Sequence, residues 1–313
     1  MSERPDRILV TGGVGTLGRP LVAALRADGY HVHVCGRDHL HEADYTRCDV
    51  ASFRELERLV DALDLGPRDA VFHLAAEFGR QNGEDHYEQL WGTNVIGTKH
   101  LIRLQERRRF RVLFASSSEA YGELPEGVPY REDVTATHPL VHLNDYAMTK
   151  WVNEQQLRNS MALHGTETMI LRFFNAYGPG ERYHPYRSVV CLFAYHALRG
   201  WPYTVYEGYH RVFMYVDDLI ATLARCPARF EAGEVYNIGG TEYRSVHELS
   251  DRILALVGRD DSAVRYLPKE EANVVNKRPD VSKAVRDLGH DPAITLEEGL
   301  PKTIDWMRQE YGL

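Results

Sequence analysis

The chain has 313 residues, a net charge of −8 and a pI near 6.0, which argues against a protein that wraps nucleic acid. It contains no run of about 18 apolar residues, so no membrane span is expected. Cys35, Cys48, Cys191 and Cys226 show no C-x-x-C spacing, which suits reduced thiols in a cytoplasm and neither a disulfide framework nor a zinc site.

The polar residues 1–7 lead straight into a strand, so no signal peptide is expected. That strand is Arg7–Thr11, and it ends in glycines. Residues 16–27 have helical spacing, with Leu17, Leu21, Val22 and Leu25 on one side. Residues 31–35 and 45–49 read as strands, and Ser52 as the N-cap of a helix carrying Phe53, Leu56, Leu59, Val60 and Leu63. Residues 70–74 and 111–115 are buried-type strands. A long helical stretch with Leu90, Val95, Leu101, Ile102 and Leu104 lies between them. This alternation predicts an α/β fold, a doubly wound parallel sheet joined by right-handed crossovers. A helix at Asp145–His164 and a strand at 167–172 follow. After Pro179 the pattern becomes irregular, with short segments at Tyr203–Tyr206, 211–215, 234–238 and 264–266. We expect a large lobe over residues 1–178 and a smaller α+β lobe over 179–313 on the C-terminal side. Residues 211–240 return to the large lobe, and nothing resembles a flexible linker.

Gly12, Gly15 and Gly18 follow the first strand and open a helix, the Rossmann-type arrangement for a dinucleotide. Gly12 permits the tight turn, Gly15 lets the backbone approach a pyrophosphate, and Gly18 allows close helix–strand packing. The helix N-terminus supplies N–H groups and a positive dipole end. Asp49, after the third strand, can accept from an adenine amino group or simply cap the next helix. At the end of the second strand Gly36 replaces the usual acid, and Arg37 follows. Arg37 can pair with the 2′-phosphate of NADP, while Asp38 could restore NAD binding. His31, His33 and Cys35 share a strand face, which reads as half-buried packing and not as a metal site.

Tyr146 and Lys150, at i and i+4, share one helical face. A phenol is a poor base at neutral pH, and a nearby ammonium with a cofactor's positive charge makes its phenolate accessible. Together with the glycine motif and this pair, residues 94–98 (NVIGT), 116–122 (SSSEAYG), 172–180 (RFFNAYGPG), 211–219 (RVFMYVDDL) and 237–240 (NIGG) stand in one order. The chain thereby resembles the extended short-chain dehydrogenase/reductase family of nucleotide-sugar epimerases, dehydratases and decarboxylases. The resemblance implies transient oxidation at the sugar C4. Tyr146 would take the hydroxyl proton, Ser117 would hold the same oxygen, and hydride would pass to the nicotinamide. It also implies cofactor contacts at Thr16, Leu17, Val50, Leu74, Ala75, Ala76 and Asn94. Contacts to the substrate's diphosphate and nucleotide would fall at Asn175, Val190, Tyr206 and Arg211.

Glu119 separates the possible reactions, since a carboxylate beside the ring can serve at C5 or C6. The pair Ser118-Glu119 resembles UDP-glucuronate decarboxylases, and also GDP-mannose dehydratases. The dTDP-glucose dehydratases carry Asp-Glu there. Tyr177-Gly178-Pro179, His184-Pro185, Arg187, Val189-Val190 and residues 276–281 (NKRPDV) extend the decarboxylase likeness. A uronate carboxylate needs a cation, and Arg182, Lys277 and Arg278 are the candidates. The 4-keto group would make that carboxylate a β-keto acid, so that carbon dioxide leaves. Departures are Ser117 for the usual Thr, the reversed Lys277-Arg278 order, and Ala147-Met148-Thr149 within the tyrosine helix. The decarboxylase likeness points to NAD, tightly held and recycled. A nucleotide-hexose 4,6-dehydratase and a 4-epimerase are the alternatives, and a dinucleotide sensor without chemistry is the non-enzyme reading. The basic cluster 107–111 ends a helix, where cations complement the dipole. Helices around 88–105 and Asp145–His164 are expected to form a four-helix homodimer interface, as is common in this family.

Overall fold

The structure, a computed structural model, describes residues 4–125, 127–268 and 273–313. Helices separate all but the second and third of six strands: β1 (Arg7–Thr11), β2 (His31–Gly36), β3 (Tyr45–Arg47), β4 (Ala70–His73), β5 (Arg111–Ser117) and β6 (Thr168–Phe173). A seventh, Val235–Ile238, returns to the sheet beside β6. The order across the sheet is Val235–Ile238, β6, β5, β4, β1, β2, β3, and every pairing is parallel. Strand order therefore reverses between β1 and β4. In an open α/β sheet, a ligand crevice forms at such a switch point, beyond the carboxyl ends of the strands.

Both faces of the sheet are covered, as an all-parallel sheet requires. Strand alternation sends Ile8 and Val10 to one face, where they meet Leu21, Val22 and Leu25 of α1 (Gly18–Ala27). Leu9, Val71 and Val112 go to the other face. They meet Leu56, Leu59 and Val60 of α2 (Phe53–Ala62), with Leu101 and Leu157. Ser52 occupies the N-cap position of α2 but makes no capping bond. The Asp49 carboxylate instead accepts from the Ala51 N–H, and Glu55 accepts from the Asp49 N–H, both at 2.9 Å.

The long helical stretch before β5 is broken into Arg80–Asp85, Tyr87–Trp91, a π-helical turn at Gly92–Ile96, and Gly97–Arg108. The wide turn carries Asn94, consistent with the tendency of such turns to sit at functional sites. The 211–215 segment is two strands. His210–Val212 pairs with Tyr243–Ser245 and with Asn276–Lys277, while Met214–Tyr215 pairs with Ala176–Tyr177. The short strand Asn276–Lys277 lacks the strand periodicity that would have announced it. It places Lys277 opposite Arg211. In the 107–111 cluster Arg107 pairs with Glu57, Arg108 with Asp61 and Arg111 with Glu167, while Arg109 donates to the carbonyls of His164 and Gly165. Among the described residues no helix is long and apolar enough to cross a membrane.

Candidate active site

A cleft of about 950 Å³ runs over the carboxyl ends of β1, β2, β4, β5 and β6. At one end the wall is mostly backbone. Gly12 adopts φ +71°, and a Cβ there would come within 2.8 Å of the Ala75 nitrogen. At Gly18 a Cβ would run into the Gly12 carbonyl, so the loop and α1 can close only without side chains. No side chain caps α1, and the residues at its start, Thr16, Leu17 and Gly18, line the cleft. Thr16, Leu17, Leu74, Ala75, Ala76, Asp49 and Val50 complete this wall. A bare helix N-terminus beneath a glycine cradle fits a dinucleotide pyrophosphate.

Asn94 is not on the cleft surface, because its side chain turns back to the loop after β4. It accepts from the Glu77 N–H at 2.8 Å and donates to the Glu77 carbonyl at 2.9 Å and to Thr149 at 3.1 Å. Arg37 lines the cleft, and its guanidinium is paired with Glu77 at 2.8 Å. His73, at the end of β4, bonds Thr11 at 2.8 Å and Thr98 at 3.1 Å. Burial and the neighbouring Lys150 charge hold it neutral, its pKa brought down to about 3.

In the middle of the cleft stand Ser117, at the end of β5, and Tyr146 and Lys150, on the helix Asp145–His164. Asn144 caps that helix, accepting from the Ala147 N–H at 2.9 Å. Burial, with help from Glu119, pushes the Tyr146 phenol well above its ordinary value, and a hydrogen bond with Ser117 pulls the other way. Lys150 is 5.8 Å from the Tyr146 ring centre and donates to the Ala115 carbonyl at 2.8 Å. Burial lowers its pKa to about 8, and the Glu154 carboxylate opposes that fall. The spacing of Tyr146 and Lys150 predicts a phenolate favoured by the ammonium together with a cofactor's positive charge, and with the protein's groups alone desolvation dominates the phenol.

The other end of the cleft is built from charged side chains. Ser118 is buried beside the strand end, and Glu119 is 26% exposed to the cleft. The Lys277 ammonium, itself buried, donates to the Glu119 carboxylate. Burial alone would raise the Glu119 pKa. Lys277 first, then Arg211 and Asn144, outweigh it and hold the carboxylate below its ordinary value. Arg211 lines the cleft while clamping residues 273–275, with a 2.6 Å bond to the Val275 carbonyl. Asn175, Val190 and Tyr206 line the same end. Asn175 sits at φ +40°, a region asparagine tolerates, and donates to the Val212 carbonyl at 3.0 Å.

Two expected substrate cations lie elsewhere. Arg182 is 74% exposed and pairs with Glu310 at 2.7 Å. The cause is remote, since the Tyr311 hydroxyl accepts from the Tyr183 N–H at 2.6 Å and turns this loop toward the last helix. Arg278 is exposed, with its guanidinium 5.7 Å from the Tyr243 ring centre. Successive strand residues face opposite ways, so Lys277 goes in and Arg278 goes out.

Beneath the site runs a buried polar column that we did not expect from the sequence. Arg172 grips Glu154 with two bonds, at 2.9 and 2.7 Å, both side chains being fully buried. Ser116 donates to Glu154 at 2.6 Å. Arg172 also lies 4.4 Å from the Tyr121 ring centre, and the Tyr121 hydroxyl donates to Asn237 at 2.7 Å. Asn237 in turn donates to the carbonyls of Tyr130 and Asp280. The available signal was spacing, because Glu154 lies four residues beyond Lys150 on the same helical face.

The chain as a whole is similar to several known proteins. A UDP-glucuronic acid decarboxylase 1 of Danio rerio is 32% identical, across 99% of this chain and 75% of that protein. A UDP-N-acetyl-alpha-D-glucosaminuronate decarboxylase of Bacillus cytotoxicus is 30% identical, across 97% and 98%. The solved structure of MoeE5 in complex with UDP-glucuronic acid and NAD is 30% identical, covers 97% of this chain and 99% of that one, and superposes with a TM-score of 0.84. Residues 8–239 match the NAD dependent epimerase/dehydratase family, and the chain belongs to that family.

Proposed function

We propose that this chain is an NAD-using enzyme that decarboxylates UDP-glucuronate to a UDP-4-keto-pentose or UDP-xylose. The observation that carries this reading is the Lys277–Glu119 pair, a buried cation and a carboxylate side by side at the sugar end of the cleft. The nucleotide-sugar ligand in MoeE5 and the decarboxylase relatives support it.

The glycine loop, Asp49, Val50 and residues 74–76 would hold the dinucleotide. When bound, its oxidised nicotinamide supplies a hydride acceptor for the sugar C4 and a positive charge beside the phenol. That charge, with Lys150, offsets the desolvation that keeps Tyr146 protonated, so Tyr146 can remove the C4 hydroxyl proton. Ser117 orients the same oxygen. The resulting 4-ketone lies β to the C5 carboxylate. The C5–carboxylate bond breaks, its electron pair moves toward the ketone as an enolate, and carbon dioxide departs. Lys277 is placed to receive the substrate carboxylate, which frees Glu119 from its main cation and raises its affinity for a proton. Glu119, with Ser118, can then deliver a proton to C5. Asn175, Val190, Tyr206 and Arg211 would hold the nucleotide diphosphate.

We further propose a cytoplasmic homodimer built on the helices that carry Tyr87, Ile96, Met148 and Leu163, each an exposed apolar residue. The free, buried state of all four cysteines suits a reducing compartment.

The test is to incubate the purified protein with UDP-glucuronate and follow the nucleotide-sugar mass. Loss of carbon dioxide is expected. Water loss from a neutral nucleotide-hexose without decarboxylation would establish the dehydratase instead, and inversion at C4 without mass change the epimerase.

A further inference from the structure

We infer that Glu77 sets cofactor choice in this chain by holding Arg37 away from the place where a 2′-phosphate would bind. The inference rests on the NAD reading above and adds to it the residue that enforces it. An acid at the end of the second strand usually discriminates by bonding the ribose 2′-hydroxyl. Here that position is Gly36, and Arg37 follows it. By its local chemistry Arg37 is a phosphate ligand. Its guanidinium is nevertheless committed elsewhere, to Glu77 at 2.8 Å.

The path of this ion pair is informative. Cys35 of β2 and His73 of β4 both lie beside Thr11 of β1, one on each side. Arg37 is two residues past Cys35, and Glu77 is four past His73. Their side chains together therefore bridge two strand spacings, about 10 Å, to meet. The pair passes over the end of β1, where the glycine loop begins. Both residues line the cleft.

Glu77 is also the more firmly fixed partner. Its backbone N–H and carbonyl are both bonded to the Asn94 side chain. Its carboxylate accepts from Gln89 at 2.9 Å as well. Arg37 is 55% exposed and Glu77 17%, so the arginine is the mobile arm drawn to a stationary acid. A 2′-phosphate would have to draw Arg37 away from Glu77 and leave that carboxylate without its cation. Discrimination of this kind acts through repulsion as well as attraction. A ribose hydroxyl incurs neither penalty.

The experiment measures equilibrium affinities of the full chain for NAD and NADP by calorimetry in wild type, Glu77→Gln, Arg37→Ala and the double variant. Wild type is expected to prefer NAD. Glu77→Gln, nearly isosteric, should move the ratio toward NADP by roughly tenfold while NAD affinity changes much less. The double variant should lose that gain. An unchanged ratio in Glu77→Gln, beside a wild type that prefers NAD, would overturn the inference alone. A gain that survives in the double variant would overturn it too, by removing Arg37 as the receiving group. A wild type that itself prefers NADP would overturn both this inference and the NAD reading.

Discussion

The two ends of the cleft are made in different ways. The dinucleotide end is mostly backbone, drawn from residues 12–18, 49–50 and 74–76 and shaped by the absence of side chains at Gly12 and Gly18. The sugar end is assembled from side chains separated by more than a hundred residues, with Glu119 held by Lys277 and flanked by Arg211. A backbone cradle can be shared by many reactions, because it recognises only a pyrophosphate. A charged side-chain cluster must be matched to one substrate, and there the reaction is decided.

Substitutions can break this contrast. The largest effect is expected where the two ends meet. Tyr146→Phe should lower turnover of the nucleotide sugar by about 10³-fold, with affinity for both ligands kept. Near-normal turnover would remove proton transfer by Tyr146 from the scheme. Next is Lys277→Met, confined to the sugar end. We expect the KM for UDP-glucuronate to rise roughly a hundredfold while NAD affinity stays put. The same change should remove a stabilisation that depends on ionised Glu119. That carboxylate has a depressed folded pKa, so its contribution is present at neutral pH and is lost as pH falls through the folded value. Acid unfolding monitored by circular dichroism should show the variant lacking that component.

Gly12→Ala tests the opposite end. Strain at positive φ and the approach to Ala75 should weaken NAD binding by about tenfold, with a stability loss of about 1–3 kcal/mol. Titration with NAD and a thermal melt would check both. The smallest effect concerns Lys150. Its folded pKa is about 8 against 10.5 for an ordinary lysine, so between those values the unfolded chain binds more protons. Wild type should therefore gain stability relative to Lys150→Met as pH rises from about 8 toward 10.5. Denaturant midpoints at pH 7.5, 9 and 10 would show a difference moving in that direction.

What could be read from the sequence follows the same division. The glycine loop, the strand–helix alternation and the Tyr146/Lys150 spacing are local patterns, and local patterns survive in a string of letters. The positions of Arg182 and Arg278 were not legible. One depends on Tyr311, 128 residues beyond the neighbouring Tyr183, and the other on a two-residue strand too short to announce itself. Asn94 was expected to face the cofactor directly. The π-helical turn aims it at Glu77, a residue whose loop has no sequence signature. Glu154 carries no local signal of its buried role, because its partner Arg172 arrives from β6.

The column from Glu154 through Arg172, Tyr121 and Asn237 to the carbonyls of Tyr130 and Asp280 has a mechanical consequence. It ties the tyrosine helix, two strands of the main sheet and the segment just past Lys277 into a single unit. Pulling that unit apart would separate a fully buried ion pair, one in which loss of either partner costs about 3–5 kcal/mol, together with several buried hydrogen bonds. The floor of the cleft therefore behaves as a stiff beam and not as a hinge. At the rim, residues 78–86 and the loop before the helix Val189–Arg199 meet instead through part-exposed contacts, Tyr186 with Asp85 and His86 and Arg187 with Phe78, and contacts open to water separate at lower cost than buried ones.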